Sequence, residues 1–483
     1  MLKRILGVIL MIGVLSTLFS ACTAQPGYQS IARENLAVGT PVTASQPDGS
    51  ERLTDGSKDA WTATDQGVSV EINFGEEITF NTVVLREPTD SVKKFTIYYW
   101  DGTDYIFLYE QDRIDKYRLC AVGDTTSSRI KLVFDSFDKK IQIEEIEVYQ
   151  LDNYHRGNFK VTSYLNSNLN TETSLTDIQA QADDPGYTGR FQTLTDVILI
   201  GVVSLNADGA LTCSTGLENF KKDVSLLKSF NPDMKVRCTI MTSLVPGDFN
   251  GTKKAIVKFV NGDLETYQKN LAAFVEETGI DGIDYDWEYP QLPHEWNAYS
   301  KLLIASKAAI QGRDLSVALW PYGVMLSKEA RACIDNVNMM AYDQFDERGD
   351  HSPIFEMGAD AIEYFLGLGF SKEQLCLGIP FYGRTADGYA IWPSYDKDYG
   401  KWTNYRENFT YTDADGAQHS STVFLNGYAM VRDKTALALQ YDLGGIMIFS
   451  STVDISYENE YALHRAVTEV LDQRLYQNIA LPR

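Results

Sequence analysis

The sequence predicts two folded units, an all-β sandwich followed by an α/β unit with the eight repeats of a (β/α)8 barrel. Three observations carry that reading. Residues 35–151 are short alternating or apolar runs broken by Gly, Asp and Asn turns, with almost nothing at helical period. From residue 159 onward, near-continuous apolar runs alternate with amphipathic helical stretches. One of those runs, 281–290, carries carboxylates at alternate positions. The length of 483 residues suits two or three domains.

Composition narrows the function classes. Hydrophobic residues make up 44% of the chain and aromatics 12%, enough for large packed cores. The 43 Lys and Arg stand against 66 Asp and Glu, a net charge of −23, which repels phosphate backbones and excludes nucleic acid as an expected partner. Nothing in the sequence calls for an oligomer, and a monomer is expected.

The first 21 residues read as an export signal: Lys3 and Arg4 precede an apolar run that ends in small residues. A permanent transmembrane helix is the other reading of such a run. Its end, Phe19-Ser20-Ala21-Cys22, resembles the lipobox of bacterial lipoproteins. That resemblance implies cleavage before Cys22, lipid on Cys22, and a protein anchored to the membrane at the bacterial cell envelope. The polar residues 22–34 then suit a tether.

Within 35–151, the runs 68–74, 82–85, 95–100 and 129–134 are the clearest strands. Asn35-Leu36-Ala37-Val38-Gly39, Leu53-Thr54-Asp55-Gly56 with Trp61, Val83-Val84-Leu85-Arg86-Glu87 and Glu145-Ile146-Glu147-Val148-Tyr149 together resemble the discoidin-like, or coagulation-factor C-type, sandwiches. These include carbohydrate-binding modules of family 32. The resemblance implies that Asp55 and Glu145 help hold a structural Ca²⁺; a turn aspartate and a solvated strand-end glutamate are the alternative. Trp61 reads as core before sugar platform.

From 159 to 476 the strand candidates are 159–164, 197–203, 235–241, 282–288, 315–319, 336–340, 375–379 and 445–449, each apolar enough to be covered on both faces. Between the third and fourth, Asp263 can cap a helix with Leu264, Tyr267, Leu271, Phe274 and Val275 on one stripe and a stop at Gly279. Eight such units match a TIM barrel. A doubly wound open sheet is the alternative, but no Gly-rich phosphate loop follows the first strand. Cys238 and Cys376 lie in apolar runs and are expected to be buried free thiols. No cofactor for catalysis is implied.

In Asp281-Gly282-Ile283-Asp284-Tyr285-Asp286-Trp287-Glu288-Tyr289-Pro290, alternation puts Asp284, Asp286 and Glu288 on one side of the strand, with Tyr285 and Trp287 on the other. Neighbouring acids then stand roughly 6.6 Å apart, so one must hold a proton or a partner at neutral pH. The flanking Ile280, Ile283, Tyr285 and Trp287 require burial, which argues against a solvated edge strand. Glu288 falls at the strand's C-terminal end, where barrel enzymes build their sites.

Asp281, Asp284, Asp286 and Glu288 fit the Asp-x-x-Asp-x-Asp-x-Glu signature of glycoside hydrolase family 18, the chitinase family, and the following Tyr-Pro strengthens the fit. Met340-Ala341-Tyr342-Asp343 resembles that family's sixth-strand motif, Gly378-Ile379-Pro380-Phe381-Tyr382-Gly383-Arg384 its seventh, and Gly444-Gly445-Ile446-Met447 its eighth. The resemblance implies a retaining hydrolase of β-1,4 bonds next to N-acetylglucosamine, with the substrate's acetamide as nucleophile. Glu288 would be the general acid, its pKa raised. Asp286 would orient the acetamide and Asp284 share a proton with it. Tyr342 would donate to the acetamide carbonyl, and Asp343, Tyr382 and Arg384 would hold sugar hydroxyls or neighbouring residues. For Tyr342 and Asp343, barrel packing and a loop acid are the alternatives. Asp281 belongs to the motif structurally.

Two positions depart from the family pattern. The third-strand Ser-x-Gly-Gly is replaced by Thr239-Ile240-Met241-Thr242, and the tryptophan that floors the sugar site aligns with Phe449. Neither removes a proton-transfer group, but Phe449 offers a smaller stacking face. The loop 385–428 is expected to be too short for a full α+β insertion, which leaves an open groove and endo cleavage. Trp287 faces outward, so Trp320, Trp392 and Trp402 are the aromatic candidates for gripping a glycan, and soluble GlcNAc-containing chains are expected to be better substrates than crystalline chitin. Three function classes follow: a chitinase, an endo-β-N-acetylglucosaminidase acting on the chitobiose core of N-glycans, and a non-catalytic lectin of the same fold. Retention of Glu288 argues against the last.

Overall fold

The computed structural model describes residues 33–151, 158–166, 178–206, 208–241, 249–345, 351–352, 355–391, 399–413 and 416–471. The leader, Cys22, Thr242 and Trp392 lie outside them.

The first unit is all β. Its main sheet is antiparallel in the order Val42–Ala44, Val68–Arg86, Tyr117–Phe137, Val92–Trp100, Tyr105–Gln111, with Glu145–Tyr149 also paired on Val68–Arg86. The runs 68–74 and 82–85 are one 19-residue strand and not two short ones. Register shifts between Asn73 and Ile78 and between Phe80 and Thr82 let that strand bend and continue. A two-stranded sheet, Trp61–Ala63 with Ile141–Ile143, shares the apolar cluster of the main sheet. Trp61 is fully buried, its ring 6.3 Å from Phe134, and its Nε1 donates to Gln46 O at 3.0 Å. It is a core residue.

In the second unit, eight parallel strands close on themselves. They are Lys160–Asn166, Asp196–Leu205, Lys235–Met241, Gly282–Asp286, Asp314–Leu319, Asn336–Met339, Leu375–Pro380 and Gly445–Phe449, and the last pairs in parallel with the first. Closure removes every free edge and leaves an interior filled by side chains. The helix Leu264–Thr278 buries Tyr267, Leu271, Phe274 and Val275, Asp263 accepts from Thr266 N, and Gly279 ends it at φ 67°. Cys238 and Cys376 are buried free thiols. Gly378 of the seventh strand admits no side chain, because a Cβ there would meet Met339 O at 2.0 Å and Tyr342 Cε1 at 3.0 Å. After that strand the chain forms a small antiparallel sheet, Ala390–Ile391, Gly383–Thr385, Gln418–Phe424, Tyr405–Thr412.

The two units share a buried interface. Helix Tyr428–Gln440 lies between barrel strands and the strand Tyr117–Phe137, and nearly all of its side chains are buried. Asp433 of that helix accepts from Tyr109 Oη at 2.6 Å, Ala121 N at 2.9 Å and Arg118 Nη2 at 3.1 Å. Val84, Leu119, Ala121, Tyr149 and Leu151 of the β unit belong to the barrel's apolar cluster.

Candidate active site

The site begins with the fourth barrel strand, Gly282–Asp286, whose alternation turns Asp284 toward the barrel axis. Asp284 is completely buried. Its Oδ2 accepts from Thr239 Oγ1 at 2.8 Å and Tyr164 Oη at 3.0 Å; its Oδ1 accepts from Ser316 Oγ at 2.6 Å and Asn338 Nδ2 at 3.4 Å. These partners come from the first, third, fifth and sixth strands. Burial raises the Asp284 pKa, and the three hydroxyl donors oppose that rise.

Asp286 is the next inward position. Its Oδ1 is buried without a hydrogen-bond partner, and the carboxyl pairs with Glu288. Burial, and then the charges of Glu288 and Asp284, push its pKa well above the usual carboxylate range. Glu288 lies beyond the strand end and is exposed at the barrel mouth. Tyr289 hydrogen-bonds it, and burial followed by the Glu288 charge raises the Tyr289 phenol. Trp287, on the opposite side, is buried 5.3 Å from the Tyr299 ring.

Beside the acids lies an aromatic floor. Tyr342 is buried, its ring stacked 6.3 Å from Phe449 and edge-on to Tyr382 at 6.1 Å, while Tyr164 meets Phe449 at 5.5 Å. Asp343 sits at φ 61°, in the left-handed region that only a determined surrounding holds. It accepts from Tyr382 Oη at 2.5 Å and Arg384 Nε at 2.8 Å, and Arg384 Nη2 closes the pair. Asp343, Tyr382 and Arg384 therefore hold one another at the rim.

Of the aromatic candidates, Trp320 is half-buried at the mouth, 5.9 Å from Tyr289. Trp402 is elsewhere: it packs on Phe107 at 6.0 Å and Tyr109 at 5.0 Å of the β unit. Asp281 forms an ion pair with Lys228 at 2.9 Å and accepts from Val236 N at 2.8 Å, anchoring the strand's start.

Asp55 and Glu145 lie together in the β unit. Glu145 Oε2 accepts from Gly56 N at 3.1 Å, while Oε1 is buried without a partner. Burial, then Glu147 and Asp55, push Glu145 up to about 7. A buried carboxylate oxygen with no donor beside a second carboxylate fits a hard cation. Among the described residues no three His, Cys, Asp or Glu side chains gather around a metal position, so backbone carbonyls or water would complete that shell.

Sequence reasoning missed Tyr164, Ser316 and Asn338 as holders of Asp284. Their signal was present: a Ser and an Asn inside otherwise apolar, doubly covered strands need a buried partner. It also missed Ser451, His464 and Asp454. Ser451 Oγ meets His464 Nε2 at 2.9 Å and His464 Nδ1 meets Asp454 Oδ2 at 2.5 Å. Ser451 and His464 are fully buried and Ser163 Oγ covers the serine at 2.6 Å, so this is a lock between the first and eighth strands and not a nucleophile.

The model of the glycosyl hydrolases family 18 matches residues 160–454, from the first barrel strand to just past the eighth and over half of the chain. The chain belongs to glycosyl hydrolase family 18. Within the family, it is 27% identical over 220 residues to "Probable chitinase 2" of Drosophila melanogaster, covering 39% of this chain and 43% of that protein. It is 24% identical over 192 residues to "Chitinase 1" of Aphanocladium album, covering 34% and 44%. The chain thus spans less than half the length of either relative. The crystal structure of the family 18 chitinase ChiB of Flavobacterium johnsoniae superposes with a TM-score of 0.48 at 19% identity, covering 66% of this chain and 94% of that one.

Proposed function

We propose that the chain is a retaining glycoside hydrolase that cuts β-1,4 bonds next to N-acetylglucosamine, in chitin or chitooligosaccharides, with the substrate's acetamide as nucleophile. The Asp286–Glu288 pair carries this reading: a carboxyl with one buried, unpartnered oxygen and a raised pKa beside an exposed glutamate at the strand end. The relatives named chitinases agree with it.

In this reading the sugar to be attacked lies over Phe449 and Tyr342. Glu288 gives its proton to the glycosidic oxygen as that bond breaks. The acetamide carbonyl oxygen bonds to the anomeric carbon, Asp286 Oδ1 accepts from the acetamide N–H, and the Tyr342 hydroxyl donates to the carbonyl oxygen. Asp284, fixed by its four donors, faces the positive oxazolinium that forms. Water then adds to the anomeric carbon while the Glu288 carboxylate takes its proton, so configuration is retained. The test is NMR of freshly cut chitohexaose: the new reducing end starts as the β anomer, and fully deacetylated chitosan is not cut. An initial α anomer contradicts the mechanism.

For the β unit we propose a discoidin-like, sugar-binding module with Ca²⁺ held by Asp55 and Glu145, supported by the unpartnered Glu145 Oε1. Added Ca²⁺ then raises the wild-type melting temperature and leaves Glu145→Gln unmoved. Export and lipid attachment at Cys22 are likewise proposed, on the wording of residues 1–22.

A further inference from the structure

We infer that a cleft on the outer wall of the barrel, lined by Lys401, Tyr428, Tyr461 and Arg465, binds a small carboxylate of single-ring size, the class to which uronic acids belong. Among the described residues its lining shares none with the active site, so the inference stands apart from the hydrolase reading.

The cleft has a volume of about 360 Å³, at the small end of ligand sites, which suits one ring. Its walls come from three parts of the chain: the turn at Lys401, the start of the helix Tyr428–Gln440, and the segment from Glu460 into the helix Leu463–Val470. These walls are tied together. Ala429 N donates to Lys401 O at 3.1 Å, and the rings of Tyr428 and Tyr461 meet edge to face at 5.5 Å. Arg465 is held from one side: its Nε donates to Tyr457 O at 2.6 Å, and its guanidinium lies 4.7 Å from the Tyr457 ring. Among the described residues its two Nη groups have no hydrogen-bond partner, which leaves a fork of donors for a ligand.

Charge selects the ligand. Glu469 is already engaged, accepting from Tyr428 Oη and pairing with Arg432 Nε at 3.3 Å. Among the described residues neither Lys401 nor Arg465 forms an ion pair, and the Lys401 ammonium lies 5.3 Å from the Trp402 ring. Burial, and then the Arg432 charge, lowers the Lys401 pKa, so an anion beside that ammonium is favourable. With Arg432 behind Glu469, three cations stand against Glu460 and Glu469, an excess of one positive charge. One carboxylate balances that excess. A phosphate monoester, at about −1.5 to −2, would set surplus negative charge against the two glutamates.

The experiment titrates glucuronate into the purified protein by calorimetry, with Lys401→Gln, Lys401→Arg and Arg465→Gln alongside. The wild-type protein binds with a Kd of about 1 mM or below. Lys401→Gln weakens binding by about 10-fold or more without lowering the melting temperature, because it removes a charge that burial disfavours. Arg465→Gln weakens it likewise, and Lys401→Arg retains it. Turnover of chitohexaose stays at the wild-type value in Lys401→Gln, so the cleft and the hydrolase reading are tested separately. No binding by the wild-type protein, or equal binding in Lys401→Gln, overturns the site. Tighter binding of glucose 6-phosphate than of glucuronate overturns its assignment to a carboxylate.

Discussion

Thr239 Oγ1 donates to Asp284 Oδ2 at 2.8 Å. Thr239 opens the third-strand segment that departs from the family pattern, yet the bond explains how that segment still serves the site. A carboxylate with no exposure is ionised only if donors surround it. Tyr164, Thr239 and Ser316 supply three hydroxyls that favour the charged form of Asp284, and the Asp284 charge in turn raises the pKa of the neighbouring Asp286.

Thr239→Val removes one donor at nearly constant shape. The Asp284 pKa then rises further, because a bond that lowers it is lost. Asp284 takes up a proton at higher pH, so the acid limb of the kcat/KM profile moves to higher pH and kcat falls about 10-fold. Thr239→Ser restores both. A profile that stays in place in Thr239→Val contradicts this role.

Asp433→Ala leaves the Arg118 guanidinium, 1% exposed, facing the interface without its carboxylate. The expected loss is about 3 to 5 kcal/mol of stability. Because the same cluster spans both units, calorimetry of the wild-type protein shows one cooperative transition. Two separate transitions, with the variant changing neither, would contradict the shared interface.

His464 sets a pH dependence of stability. Burial lowers its pKa from 6.5, against the pull of Asp454. Above pH 6.5 the imidazole is neutral in both folded and unfolded chains, and the lock to Ser451 is intact. Below it the unfolded chain takes up a proton first, so stability declines as pH falls below 6.5. His464→Gln flattens that slope, measured by denaturant unfolding at pH 5 to 8. An equal slope in the variant assigns the dependence to other groups.

Most of the barrel was legible in the sequence because each strand is covered on both faces, which leaves an apolar run that no loop imitates. The order Asp284, Asp286, Glu288 was legible because period two is rigid. Partners on other strands were not: Asn338 reaches Asp284 only because a single strand separates the sixth from the fourth and both turn these residues into the barrel, and no local pattern encodes that distance. Trp402 was misjudged for the same reason. A loop tryptophan near the mouth in sequence packs on Phe107 and Tyr109, more than 290 positions away, once the two units dock. The long strand Val68–Arg86 reads as two because its register shifts interrupt the alternation.

The most direct test of the account is turnover of chitohexaose by Glu288→Gln, with binding followed in parallel by calorimetry. The substitution keeps shape and removes the transferable proton, so kcat falls by about 10²- to 10⁴-fold while affinity for the glycan is retained. A Glu288→Gln protein that keeps more than about a tenth of wild-type turnover contradicts the assignment of Glu288 as the acid.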